Sequence, residues 1–253
     1  MRYGNLRDYL HPIATDDLIR LGRDCDGGYL VNASAVRGSD CLLSFGISDD
    51  WSFEEAFLAT NDVPLLAFDG SIGTVLLLKR AFRSLVTSPR KILRQWRTLI
   101  DFLRFFRGER RFFPMMVGEA VESRSTSLGD LLARFVSGRF RRVFIKCDIE
   151  GCEYRILDDL VRNADLIRGL VIEFHDVDLM DDKIAAFVAK FPLAITHVHI
   201  NNWAGLSPDG VPYVIEVSFA RLKAGPSIPA ALPHPLERAN NPKAEEICLI
   251  FAG

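Results

Sequence analysis

The chain has 253 residues, 49% of them hydrophobic and 25% charged, with a formal charge of −2. That length suffices for one sizeable α/β domain or two small ones, and the near-neutral charge gives no overall reason to expect a nucleic-acid partner. No run approaches the roughly 20 apolar residues that a membrane helix needs. The opening Met-Arg-Tyr-Gly-Asn-Leu-Arg-Asp lacks the apolar core of a signal peptide, so a cytoplasmic location is expected. The five cysteines, Cys25, Cys41, Cys147, Cys152 and Cys248, include no Cys-x-x-Cys pair, the pattern of reduced, packed thiols.

Short apolar runs ending in Gly, Asp or Glu alternate with helix-length segments. After an N-terminal stretch over 1–40 containing Asp26-Gly-Gly-Tyr29, Cys41-Leu-Leu-Ser-Phe-Gly46 reads as a buried strand entering a glycine turn. Ser52, with Glu55 three residues later, reads as the capping box of the next helix. Val63–Phe68 is a second strand and delivers Asp69.

More than forty residues then precede the third strand, where a simple crossover needs far fewer. From Lys79 to Arg111 there are eleven Lys and Arg against two acids, Asp101 and Glu109. Ser88-Pro89 is a good helix start. Ile92, Leu93, Trp96, Leu99, Ile100, Leu103 and Phe106 recur at helical spacing, with Arg90, Lys91, Arg94, Arg97, Arg104 and Arg107 between them. We expect basic amphipathic helices inserted over 71–111, with the basic face over 88–107. Packing on the domain, peripheral adhesion to the inner face of an anionic membrane, and binding of an anionic substrate all suit such a face.

Phe112–Gly118 is the third strand and delivers Glu119, Arg142–Cys147 delivers Asp148, and Leu170–Phe174 delivers His175. Ala194–Ile200, Tyr213–Phe219 and Ile247–Phe251 are the remaining strands. Strands alternating with helices predict an α/β fold in one domain, with a mostly parallel sheet covered on both faces. Ligands bind such sheets beyond the carboxyl ends of the strands. That rule gathers Gly46, Asp69, Glu119, Asp148 and His175 along one rim.

Gly46 followed 23 positions later by Asp69 is the strand–glycine–helix–acid arrangement of nucleotide sites, in which the acid accepts ribose hydroxyls. Ser48 and Trp51 stand where a dinucleotide site has its later glycines, which counts against a pyrophosphate. S-adenosylmethionine has ribose and adenine without phosphate, so one glycine suffices. Asp148-Ile-Glu-Gly-Cys-Glu153 puts three mutually repelling carboxylates within six residues, suiting a cation, a base role or a ligand. Glu153 reads as a favourable charge at a helix start. His197 and His199 fall on one face of their strand.

Leu21–Tyr29, Ser44-Phe-Gly-Ile-Ser-Asp-Asp-Trp-Ser-Phe-Glu54, Ala67-Phe-Asp69, Ser125-Thr-Ser-Leu128, Lys146-Cys-Asp-Ile-Glu-Gly-Cys-Glu153 and Val171-Ile-Glu-Phe-His175 resemble the FkbM family of methyltransferases. The Asp-Gly-Gly-Tyr and His-x-Asn-Asn elements are similar to the branch that contains methyltransferase-like protein 24. The resemblance implies a class I methyltransferase Rossmann-like sheet of seven strands that binds S-adenosylmethionine. It implies O-methylation of a sugar, a glycan, or a lipid-linked or secondary-metabolite acceptor. It places Phe45, Gly46 and Ser48 along the methionine moiety, Asp69 on the ribose and Glu119 near the adenine. Many relatives have a second glycine where this chain has Ser48.

An alcohol is a weak nucleophile near neutral pH, so a base or a metal must assist it. His175 or His199 is the candidate base, with Asp148 and Glu150 in the same catalytic set and Asp148 orienting the acceptor. A divalent ion on Asp148, Glu173 and His175 is the alternative. Two other functions stay open: a nicotinamide-dependent sugar-modifying enzyme, and a non-catalytic membrane-associated binding protein that keeps the fold.

Overall fold

A computed structural model describes residues 2–87, 89–118, 125–222 and 228–252. Seven strands form the central sheet: β1 (Cys41–Phe45), β2 (Leu65–Phe68), β3 (Arg110–Phe113), β4 (Val143–Cys147), β5 (Ile167–Phe174), β6 (Ala194–Ile200) and β7 (Ile215–Ala220). Their spatial order is β3-β2-β1-β4-β5-β7-β6, with β7 antiparallel to both neighbours and the first five strands parallel. This is a mostly parallel, seven-stranded α/β sheet, the architecture expected from the alternation of strands and helices. Chain direction across the sheet reverses between β1 and β4, the switch point at which such sheets bind ligands.

Every residue of β1 and of β4 is buried, as strands covered on both faces require. On one face Leu42, Phe144 and Val171 meet α1 (Ala33–Arg37), α2 (Ser52–Thr60), α3 (Thr74–Thr87) and α4 (Pro89–Phe105). On the other, Leu43, Phe45, Ile145 and Ile172 meet α5 (Leu128–Leu131), α6 (Leu157–Arg162) and α7 (Val177–Lys190). A hairpin of Leu18–Leu21 and Tyr29–Asn32 is pinned onto the far edge by bonds from the Ser218 hydroxyl to the Leu30 carbonyl and from Thr196 to the Asn32 side chain.

Three local expectations change. β3 stops at Phe113, because Pro114 has no N–H to continue the ladder; Met116–Val117 pairs instead with Ser125–Thr126. Glu119, expected at the end of the third strand, lies outside the described residues. Ile247–Ala252 leaves the central sheet and pairs in parallel with Arg2–Arg7. Ser52 is inside the first turn of α2, whose cap position is Trp51 with no side-chain cap bond; the Asp50 carboxylate, just before the cap, accepts the Ser52 N–H at 3.1 Å.

The inserted helices α3 and α4 pack against each other, with Phe82 edge-on to Trp96 at 5.4 Å. Leu99, Phe102 and Phe105 of α4 are buried, and Trp51 lies against both phenylalanines. Other apolar residues of the two helices stay largely in solvent: Leu93 is 85% exposed, and Ile100, Leu103 and Val75 are exposed, as is Phe82 beside Trp96. Ser88 and the side chains of Arg90 and Lys91 lie outside the described residues.

The segment before the last strand closes over β6, where Glu237 meets His197 Nε2 at 2.9 Å and His199 Nδ1 at 3.5 Å. Burial opposes ionisation of Glu237, yet the two imidazoles hold its carboxyl well below the usual range. A carboxyl depressed in the folded state stabilises above its unfolded pKa and loses that stabilisation as pH falls. The stability advantage of the native chain over Glu237→Gln, measured by urea unfolding, should therefore be full at pH 6 and shrink below about pH 4.5. A constant difference would mean that the clamp is not ionic.

Gly46 has φ 72°, and a Cβ there would stand 1.6 Å from the Asp148 carbonyl oxygen. Gly46→Ala should cost at least about 3 kcal/mol, since it adds an overlap with backbone to a strained φ. Gly108 has φ 62° with nothing within 4 Å of a built Cβ, so Gly108→Ala should cost only about 1 kcal/mol. Equal losses in denaturant titrations would contradict the close approach.

Candidate active site at the switch point

Beyond the ends of β1, β2 and β4 lies a cleft of about 240 Å³. Gly46 and Ser48 line it from β1, Asp69 to Ser71 from β2, Met115 to Val117 from the segment after β3, and Asp148 to Glu150 from β4. Phe68, Met115, Val117 and Ile149 give it an apolar wall, and Asp69 and Asp148 give it acids.

Asp69 is 6% exposed and fully engaged. Its Oδ2 accepts the Ile47 and Ser48 N–H groups at 2.9 and 2.8 Å; its Oδ1 accepts the Ser71 N–H and hydroxyl, both at 2.6 Å. The predicted ribose acid is therefore also the tie between the β1 and β2 loops. A ribose hydroxyl would reach it by displacing the hydroxyl of Ser71, which is exposed. Ser48 has φ 46°, the left-handed region that glycine occupies without strain, and its N–H is held by Asp69. Phe45 is wholly buried against Phe68, so it can serve a ligand only through its backbone.

A second cleft of about 250 Å³ shares Gly46, Ser48, Asp148 and Glu150 with the first and extends to Arg23, Gly27, Tyr29 and Lys146. The Asp-Gly-Gly-Tyr hairpin thereby reaches the rim. Tyr29 is buried with its hydroxyl 3.3 Å from Asp148 Oδ2 and 3.4 Å from Glu173 Oε2. Having one proton, it serves one carboxylate at a time. Lys146 is buried, donates to the Gly46 carbonyl, and stands 3.6 Å from Asp148. Burial depresses its basicity, but Asp148, Glu54 and Glu173 outweigh that and keep it charged.

His175 follows β5 and is fixed from behind. Glu153 is wholly buried; its Oε1 accepts the His175 N–H at 2.8 Å and meets Nδ1 at 3.1 Å, while Oε2 accepts the Gly151 N–H at 2.8 Å. That contact fixes the proton on Nδ1 and leaves the Nε2 lone pair outward, 3.5 Å from Glu150 and 3.7 Å from Glu173. Burial lowers the imidazole pKa, but the Glu153 bond and the charges of Glu153, Asp148 and Glu150 raise it overall. Burial, Asp148 and Glu216 push the Glu173 carboxyl well above the usual range. Among the described residues its hydrogen-bond donors are both neutral: Tyr29 and the Asn201 amide at 3.1 Å.

The rim thus assembles Gly46, Ser48, Asp69, Asp148, Glu150 and His175 of the predicted set. His199 does not join them. It is buried on β6 opposite Glu216, with Glu237 and Glu246 as its carboxylate neighbours at 3.5 and 3.7 Å. Tyr29, Lys146, Glu153 and Asn201 had no role in the site expected from the sequence, where Glu153 read as a charge at a helix start. The first three lie in the Asp-Gly-Gly-Tyr and Lys-x-Asp-Ile-Glu-Gly-x-Glu elements, the signal that could have found them. All five cysteines are free thiols.

Removing the Glu153 carboxylate leaves two partly buried N–H groups and the imidazole without that partner. Glu153→Ala should destabilise the chain by roughly 2–4 kcal/mol. Nitrogen NMR of His175 should show Nδ1–H in the native chain and a tautomer mixture in the variant. An unchanged tautomer ratio would deny Glu153 its positioning role.

No family model matches the chain, and no curated protein matches it. Among solved structures it is similar to an rRNA methylase from Streptococcus thermophilus, at 12% identity over 76% of this chain and 92% of that one, TM-score 0.39. It is also similar to precorrin-6y C5,15-methyltransferase from Geobacter metallireducens, at 13% identity over 75% and 86%, TM-score 0.37. A third is a candidate tRNA (m1A22) methyltransferase from Streptococcus pneumoniae in complex with S-adenosyl-L-methionine, at 14% identity over 76% and 72%, TM-score 0.37. Likeness at that level carries nothing about the acceptor.

Proposed function

We propose that the chain is an S-adenosylmethionine-dependent O-methyltransferase of the FkbM type, acting on a hydroxyl of a sugar, glycan, lipid-linked or secondary-metabolite acceptor. The observation that carries this reading is the joining, at Gly46 and Asp148, of a cleft with an acid and an apolar wall to a second cleft rimmed by proton-accepting groups. S-adenosylmethionine, when bound, supplies a methyl group on a positive sulfur. The chain's tasks are to bind, align and help the acceptor lose its proton.

Gly46 brings the backbone close to the methionine moiety, Ser48 offers its hydroxyl, and Asp69 takes the ribose. Phe68, Met115, Val117 and Ile149 fit the adenine. Asp148 orients the acceptor hydroxyl, and the cluster of His175, Glu173 and Glu150 around it is where that hydroxyl is activated. His175 takes this role in preference to His199, whose ring faces the Glu237 clamp.

Transfer of radiolabelled methyl groups to a panel of hydroxyl acceptors tests this reading. His175→Gln should lower kcat by about 10²-fold or more, and His199→Gln should leave the kcat of the folded fraction within about threefold. Equal losses would remove His175 from the reaction. Label in RNA with none in any alcohol acceptor would replace the acceptor class.

The exposed apolar residues of α3 and α4 are interleaved with exposed Lys79, Arg80, Arg94, Arg97 and Arg104. No helix among the described residues is long and apolar enough to cross a membrane. We infer that this hairpin lies against an anionic membrane face, with Leu93 and Phe82 in the headgroup layer. Co-sedimentation with phosphatidylglycerol vesicles should fall as salt rises and drop at least tenfold in Arg94→Glu/Arg97→Glu. Binding that survives both would leave the hairpin a packing element.

A further inference from the structure

Asp148, Glu173 and His175 each offer one donor atom, and the three atoms lie within 4.8 Å of one another. They come from two neighbouring strand ends, β4 and β5, so the sheet itself sets their spacing. A divalent cation bonded at about 2.0–2.3 Å holds its ligands roughly 3–4.5 Å apart. With mutual separations no greater than 4.8 Å, the three donors stand close to that range.

Two further observations distinguish this cluster from an ordinary group of rim acids. The first is the orientation of His175. Its Nδ1 is held by a wholly buried carboxylate that is itself held by two backbone N–H groups. Metal-binding imidazoles are supported in this way, with one nitrogen fixed by a carboxylate and the other presented to the ion. The presented Nε2 has no hydrogen-bond donor on it among the described residues, and the nearest carboxylate oxygens stand at 3.5 and 3.7 Å.

The second is the position of Glu173. It is 6% exposed, beside Asp148, and its hydrogen-bond donors among the described residues are neutral. Buried carboxylates are ordinarily paired with a cation or bound to a metal. The one lysine at hand, Lys146, is taken up by the Gly46 carbonyl and by Asp148.

We propose that Asp148, Glu173 and His175 bind one divalent cation of the Mn²⁺ class, with positions left open toward the second cleft. Two carboxylates and one imidazole suit such an ion, and three protein ligands leave room for water or an acceptor oxygen. That the open position takes the acceptor hydroxyl rests on the methyltransferase reading; the binding itself does not. Tyr29 and Asn201, bonded to the carboxylates, act as positioning residues, and the acceptor hydroxyl meets the cation at the mouth lined by Glu150.

Chelator-treated full-length protein titrated with Mn²⁺ alone, with free Mn²⁺ read by electron paramagnetic resonance, tests the proposal. We expect one Mn²⁺ per chain, weakened at least tenfold in Asp148→Asn, Glu173→Gln and His175→Gln and unchanged in Glu237→Gln. Circular dichroism melts confirm that each variant is folded. Asp69→Ala, which removes the ribose acid, should still bind Mn²⁺. Absence of binding up to millimolar Mn²⁺, or equal binding by all the variants, overturns the proposal. S-adenosylmethionine binding without Mn²⁺ binding overturns it while sparing the methyltransferase reading; Mn²⁺ binding without S-adenosylmethionine binding does the reverse.

Discussion

The ends of β1 and β4 touch at one place, where Gly46 lies against the Asp148 carbonyl with no space for a side chain. Asp148 donates its N–H back to Phe45 at 3.0 Å, Gly46 donates to Phe68 at 3.0 Å, and Lys146 closes the arrangement by bonding the Gly46 carbonyl. Three strands are thereby held in fixed relation at their carboxyl ends. Because the backbone turns here in the left-handed region, the next two N–H groups point at β2 and are collected by Asp69. Both clefts open on either side of this junction. A Cβ at position 46 would part the strands and remove the floor they share.

The second constraint is electrostatic. Glu54, Asp148, Glu153 and Glu173 approach one another in a partly dry region, and Lys146 and His175 are the basic groups set among them. Lys146 answers Glu54 and Asp148, with Ser44 bonded to Glu54 at its back. Glu153 spends its charge on orienting His175. What remains is Glu173, a carboxylate with neutral donors in a position that attracts positive charge. A buried carboxyl pushed toward its neutral form by neighbouring acids, at the joint of two clefts, suits a site that must take a cationic ligand or a proton in transit, and it is costly for a purely structural rim.

Much of this was legible in the sequence. The fully apolar runs at Cys41–Phe45 and Val143–Cys147 mark strands buried on both faces, and the residues that follow them, Gly46 and Asp148, are the junction. The 23-residue spacing from Gly46 to Asp69 also carried through to the structure. Glu153 was misread because a carboxylate at a helix start has a sufficient local explanation, and only the packing of β5 brings His175 onto it. Tyr29 is 119 residues from Asp148, and no periodicity reports a contact that a folded-back hairpin creates. His199 alternates correctly with His197, but alternation fixes the face of a strand and not what covers it; Glu237 and Glu246 do. Pro114 was the visible warning that the third strand would stop early. The basic helix was located by its spacing, whereas its burial was split by Trp51 and Phe112, which take up Phe102 and leave Leu93 outside.

The central claim is that the cleft at the β1–β2–β4 junction binds S-adenosylmethionine. Calorimetric titration of the purified chain with S-adenosylmethionine and S-adenosylhomocysteine, with NAD alongside and Asp69→Ala in parallel, tests it most directly. The account predicts binding of both sulfur ligands at about micromolar Kd, no binding of NAD, and at least a tenfold loss in a variant that is still folded. Absence of heat with either sulfur ligand, or undiminished binding by folded Asp69→Ala, would contradict it.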